Sequence, residues 1–158
     1  MTVSAYWYGK AIMNAFGGET EAETFLSIDY LTNDMKVMLC TSGRAPAQDT
    51  DETRADTVPA SNEVTGTGYV ARGHALDTKL LGYTAGTNVI KFSAANVVWE
   101  TSTITARYGI LYKDSGTDAT SPLMMYIDFG QDVSSSGGDF TIAWDAAGIC
   151  TVTPTAPA

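Results

Sequence analysis

Apolar and polar positions follow two different periods along this chain, and the change falls near residue 35. Before it, Ala5, Tyr8, Ile12, Ala15 and Phe16 recur at helical spacing, and Gly17 and Gly18 follow at once. That pattern predicts one short amphipathic helix with a glycine stop. Residues 19–23 carry Glu19, Glu21 and Glu23 and are expected to form an acidic turn.

From Met35 onward the period drops to two. Met35, Val37, Leu39 and Thr41 alternate with Lys36, Met38 and Cys40, which predicts a strand buried on at least one face. Short strands are expected over 63–71, 75–83, 87–93 and 96–100, punctuated by glycines. The clearest pair follows. Ile104, Ala106, Tyr108, Ile110 and Tyr112 share one face of a strand over 102–112. Leu123, Met125, Ile127 and Phe129 share one face of another over 123–129, with a polar hairpin loop at 113–122 between the two. Phe140, Ile142 and Trp144 alternate in a further strand, and 149–153 closes the series. The glycine-rich run SSSGG at 134–138 reads as a turn between strands, since no lysine follows it as a phosphate loop requires.

Threonine, a β-branched strand former, occurs 22 times. With many short strands and one helix, the expected fold is mainly β. It is an antiparallel β-sandwich or barrel-like domain with one short N-terminal helix. Residues 1–18 are expected to form a helical arm, 19–153 a single β-rich domain and 154–158 a tail. Residues 42–60 hold Pro46, Pro59 and the acids Asp49, Asp51, Glu52 and Asp56, and are expected to be a flexible or binding loop.

Length and composition narrow the function. A chain of 158 residues buries roughly 68–70% of its unfolded surface, enough for one ordinary core. The net charge of −9 opposes nucleic acid, whose binding rests on Lys and Arg neutralising phosphates. No apolar run is long enough to span a membrane, and 1–16 lacks the apolar core of a secretory signal. Cys40 and Cys150, far apart in apolar strand-like runs, read as two buried free thiols rather than a disulfide.

Catalytic and metal chemistry find little support. His74 is the only histidine and sits in a turn-like context, with no nucleophile-elbow pattern to serve. One histidine and two distant cysteines do not make a zinc set. The acids at 49–56 raise calcium, but their spacing does not match an EF-hand and Arg54 lies among them, so a solvated loop is the better reading. Asp128, Asp132 and Asp139 raise paired carboxylates, which suit glycoside hydrolysis only across a sugar-sized cleft. No cofactor and no enzymatic activity are expected.

Contact chemistry remains. Tyr8 belongs to the apolar stripe of the predicted helix while Tyr6 and Trp7 point elsewhere, and large aromatics off a core face are enriched at protein interfaces. The candidate partner-contact residues are therefore Tyr6, Trp7 and Tyr8, together with Arg44, Asp49, Asp51 and Glu52 of the 42–60 loop.

Several segments carry a resemblance: YGKAIMNAF at 8–16, DMKVMLCTS at 34–42, NEVTGTGYVARG at 62–73, and the block 88–153 with WETSTITARYGILYKDSG and MMYIDFGQDVSSSGGDFTIAWDAAGI. Across nearly the whole domain the chain resembles a family of small structural proteins from the virions of tailed bacteriophages. The resemblance implies a virion location after synthesis in the bacterial host cytoplasm, and no catalytic residues. It implies the major capsid protein and further copies of the chain as partners, with a capsid decoration (cement) protein as the favoured role. A tail, head–tail adaptor or fibre-associated protein is the alternative. A carbohydrate-reading sandwich using Trp99, Trp144 or exposed tyrosines is a further one, although Trp144 runs in phase with Phe140 and Ile142 as a core residue would.

Overall fold

Alternating β-branched and aromatic residues build two antiparallel sheets here, and almost all of the regular structure lies in them. The computed structural model describes residues 3–16, 27–57 and 62–154. In chain order the elements are β1 (Ser4–Trp7), α1 (Gly9–Phe16), β2 (Met35–Cys40), α2 (Arg54–Thr57), β3 (His74–Ala75), β4 (Leu80–Thr84), β5 (Val89–Ser93), β6 (Val97–Lys113), β7 (Leu123–Ile142) and β8 (Cys150–Val152). A five-stranded sheet runs β1-β7-β6-β2-β3 and a three-stranded sheet runs β4-β5-β8. The mainly β, sandwich-like expectation is met, with two open sheets in place of a closed barrel. Residues 17–26, 58–61 and 155–158 lie outside the described residues, and with them the glycine stop, the acidic turn, Pro59 and most of the tail.

The N-terminal arm differs from the expectation. Residues 4–7 are not helical: they pair with β7, Tyr6 opposite Tyr126 and Trp7 opposite Met125, and the helix starts only at Gly9. Aromatic side chains suit a pleated surface, and an open sheet edge supplies the backbone partners that a lone first helical turn would lack. The N-terminus is thus an edge strand of the main sheet, not a separate arm.

Strands β6 and β7 are 17 and 20 residues long, so each fuses two of the expected short strands. The SSSGG run is no turn. Ser134, Ser135 and Ser136 lie inside β7, opposite Thr105, Ile104 and Thr103 of β6. Threonine and serine hydroxyls bond across this part of the ladder, Thr105 to Ser134 at 2.7 Å and Ser102 to Ser135 at 2.7 Å. The fusion needs bulges. The register shifts between Trp99 and Ser102, where Thr101 takes φ +47°, and again between Ala106 and Tyr108.

The second bulge exchanges the faces of β6. Ile104 and Ala106 pack in the main core with Val37, Leu39, Ile127, Phe129 and Phe140. Beyond the bulge, Tyr108, Ile110 and Tyr112 pack in a second core on the opposite face, with Tyr8, Ala11, Met38, Cys40 and Leu123. An extra residue in one strand shifts every later side chain to the other face. The five residues expected on one face are therefore divided between two cores. Strand β2 is buried on both faces, because Val37 and Leu39 look into the first core and Met38 and Cys40 into the second. The segment expected as a strand over 63–71 makes only isolated bridges, Glu63 to Cys40 and Thr67 to Thr103.

Candidate contact surface

The three-stranded sheet is fastened to the rest of the molecule through β5. Phe92 meets Trp7 edge-on at 5.5 Å and Tyr30 edge-on at 5.1 Å, and the Tyr30 hydroxyl donates to the Ser93 carbonyl at 2.8 Å. Along its other side β5 takes β8, with Phe92 opposite Cys150. Strand β4, by contrast, has β5 as its only strand neighbour among the described residues. All five β4 residues are exposed, so the strand shows solvent both faces as well as its free edge. Leu80 is 62% exposed, Leu81 48% and Tyr83 64%.

An exposed strand of this kind is held by its ends. The Tyr83 hydroxyl donates to Asn88 Oδ1 at 2.8 Å across the hairpin, and Ala95 N–H donates to the Asp77 carbonyl at 2.9 Å at its base. Soluble proteins usually blunt a free edge with charge, proline or a covering element. Residues 80–84, LLGYT, carry none of these. Residues 78–99 hold Lys79 and Lys91 and no carboxylate, in a chain of net charge −9. Both lysines are turned onto their own chain, Lys79 Nζ to the Asn33 carbonyl and Lys91 Nζ to the Ala146 carbonyl at 3.3 Å.

The residues singled out from the sequence are placed differently. Tyr6 is 41% exposed and stacks on Tyr126 at 5.0 Å, and Trp7 is half-buried against Phe92. Tyr8 is wholly buried, so it is not a contact residue; its hydroxyl has no hydrogen-bond partner among the described residues, and burial pushes the phenol well above its ordinary range. Asp51 is buried too, and this overturns its place among contact residues. Its two oxygens take Arg44 at 2.5 and 2.8 Å, and Ala47 N–H donates to it at 2.8 Å. Glu52 is half-buried and pairs with Lys10. Asp49 is exposed.

The loop over 42–57 is accordingly pinned. Asp56 accepts from Thr53 N–H at 2.9 Å and Thr53 Oγ1 at 3.1 Å, which ties the side chain of the first turn of α2 back to the residue before it. Arg54 is buried and pairs with Glu63 and Asp118. Asp118 also takes Arg72 at 2.6 Å, and Arg72 reaches Asp114, which in turn holds Lys36 at 2.7 Å. Burial alone would raise the Asp114 carboxyl, but hydrogen bonds from Arg72, Lys36 and the Gly116 N–H outweigh it and hold the group well below the usual range. Asp51, Glu52, Asp114 and Asp118 thus serve internal ion pairs, and among the described residues no group of three or more His, Cys, Asp or Glu is placed to hold a metal.

Asp128, Asp132 and Asp139 do not pair with one another. Asp128 takes Arg107 at 2.9 Å, Asp132 accepts from Ser42 at 3.4 Å, and Asp139 accepts from Thr101 N–H at 3.0 Å. His74 lies exposed beside the buried Trp99, its ring edge-on at 6.1 Å. Trp144 is half-buried against the main core and donates its indole N–H to the Ala95 carbonyl at 2.9 Å. An open groove of about 470 Å³ lined by Thr41, Glu63, Thr65, Thr103, Thr105 and Ser135 has no aromatic side chain in its wall. Both cysteines are free thiols; Cys40 is buried and Cys150 half-buried, and burial pushes each up to about 12. No helix among the described residues is long and apolar enough to cross a membrane.

Sequence reading missed Leu80, Leu81 and Tyr83 as a contact candidate. The signal was present as a charge-poor apolar run between two lysines, but strict alternation is broken by the pair of leucines and by Gly82. We found no family model, no curated protein and no solved structure that matches this chain.

Proposed function

We propose that this chain is a structural protein of a tailed-phage virion, acting by contact alone, and that it decorates the outer surface of the head. One observation carries the reading: an uncovered β4 strand presenting Leu80, Leu81 and Tyr83 to solvent. Exposed apolar side chains on a strand with an unpaired edge are one mark of a protein–protein contact. Two packed cores and a buried ion pair elsewhere in the domain give a rigid body suited to adding onto a preformed shell without chemistry. The sequence resemblance set out above points the same way.

Heads lacking the chain provide the test. Purified chain added to such heads should co-sediment and raise the temperature at which they release their contents. Tyr83→Ser combined with Leu81→Asp should lower occupancy several-fold while leaving the circular dichroism spectrum unchanged. Failure of the unaltered chain to bind heads at any concentration would contradict the head-surface role, and binding to purified tails instead would move the protein to the alternative location.

A further inference from the structure

We infer that β4 pairs edge-to-edge with β4 of a second copy of this chain, antiparallel about a two-fold axis at Gly82. The inference rests on the reading of the protein as a contact subunit and names one of its partners.

The first argument is the free edge itself. Alternate residues of an edge strand turn their backbone N–H and C=O away from the neighbouring strand; here LLGYT holds neither charge nor proline, and among the described residues no strand pairs with that edge. The second is register. Two-fold pairing centred on Gly82 sets Leu81 opposite the copy's Tyr83, and Tyr83 opposite its Leu81, on one face of the new ladder. Aromatic–aliphatic pairs directly opposite each other are among the favourable cross-strand contacts. On the other face Leu80 lies opposite the copy's Thr84, and the two glycines meet at the axis. A two-fold contact demands such self-complementarity, and five residues LLGYT supply it.

Charge is the third argument. Two molecules of net charge −9 repel, and approach is easiest where carboxylates are absent. Residues 78–99 have none. Lys79 lies opposite the copy's Ala85, not its Lys79. The two Lys91 side chains stand three strand spacings apart, about 14 Å, which exceeds the screening length of about 8 Å at physiological ionic strength. A basic hairpin thus meets its own copy without opposing like charges at close range.

The contact is small. Residues 77–88 are exposed at every position but Lys79, a patch below the roughly 20–30 residues a side of a standard interface. Pairing is therefore weak in dilute solution and persists where copies are held close together, as on a particle surface.

Cysteine trapping tests the register. Gly82 accepts a side chain freely, since a Cβ built there meets nothing within 4 Å. Paired Cα atoms across an antiparallel ladder lie about 4.5–5.5 Å apart, within disulfide reach. Under mild oxidation of the full chain, Gly82→Cys should give a disulfide-linked dimer about tenfold or more faster than Thr84→Cys, whose copy lies four residues out of register. A mixture of Leu80→Cys and Thr84→Cys chains should give the heterodimer. The native Cys40 and Cys150 thiols are buried or half-buried and do not compete. Equal rates for Gly82→Cys and Thr84→Cys, or no dimer from either, would overturn the inference. If Gly82→Cys stays monomeric while the unaltered chain still loads onto heads, self-pairing falls and the contact role stands. If the trap works but the chain joins no particle, the virion reading falls alone.

Discussion

At the residue scale, the least expected feature is how many charged side chains are spent inside the molecule. Arg54, inside the loop expected to be flexible or binding, is 5% exposed and pairs with Glu63, 9% exposed. Breaking a buried pair by removing one partner leaves the other charge uncompensated, at a cost of about 3–5 kcal/mol. Arg54→Met should lower stability by that order in chemical denaturation. Arg54→Met together with Glu63→Gln should recover a substantial part of the loss, because the stranded carboxylate is then gone. Asp114 and Asp118 add a pH dependence. Their folded-state carboxyls lie below the ordinary 3.8, because arginine and lysine hydrogen bonds outweigh the opposing effect of burial. The unfolded chain therefore binds protons first as pH falls, so the stability these groups contribute is full above the ordinary carboxylate range and is lost below it. A denaturation series should show stability flat from pH 7 to about 5 and falling below about 4. A fall that began instead above pH 6 would point to another group.

At the element scale, helix and strand existence was legible and continuity was not. The alternation of Val37 and Leu39 with Met38 and Cys40 located β2, and the apolar residues at 123–129 located the first half of β7. Fusion of the expected short strands into β6 and β7 was hidden, because Thr101, Gly130 and Gly137 look like breaks in a one-dimensional pattern. In the sheet they are bulges at which a long strand bends and continues. The aromatic run at 6–8 misled for a related reason: Tyr8 falls in helical phase with Ile12, while Tyr6 and Trp7 are already committed to β7. The candidate site fared worse. Buried Asp51 and Arg54 look like loop charges until their partners are known: Arg44 and Glu63 lie only seven and nine residues away but outside any regular element whose period would pair them, and Asp118 lies 64 residues away.

One connection makes a sharp element-level prediction. Gly73 takes φ +75°, and a Cβ there would lie 2.0 Å from the Val37 carbonyl oxygen, on the strand it turns against. Gly73→Ala meets both backbone strain and a clash with main chain that has little room to yield, and strain of the first kind alone costs about 1–3 kcal/mol. The variant should lose at least that much in urea denaturation and should release β3 from β2, seen as faster amide exchange at His74 and Ala75. Alanine at Gly82, where nothing stands within 4 Å, should be tolerated.

At the scale of the whole molecule, stability and contact are divided between parts. The five-stranded sheet carries apolar side chains on both faces and buries them in two cores, while the three-stranded sheet is anchored on β5 and ends in a bare strand. That division suits a subunit whose body stays rigid while one edge is left for a neighbour. The acidic surface around it discourages indiscriminate association and confines contact to the charge-poor hairpin.

The most direct test of the proposed virion role is quantitative mass spectrometry of particles purified from the lysate in which this chain is made, with isotope-labelled peptides spanning residues 80–113 as internal standards. The account predicts the chain in the particle in hundreds of copies, at a fixed ratio to the major capsid protein. Its absence from the particle, with the protein recovered only from the lysed host, would contradict the account.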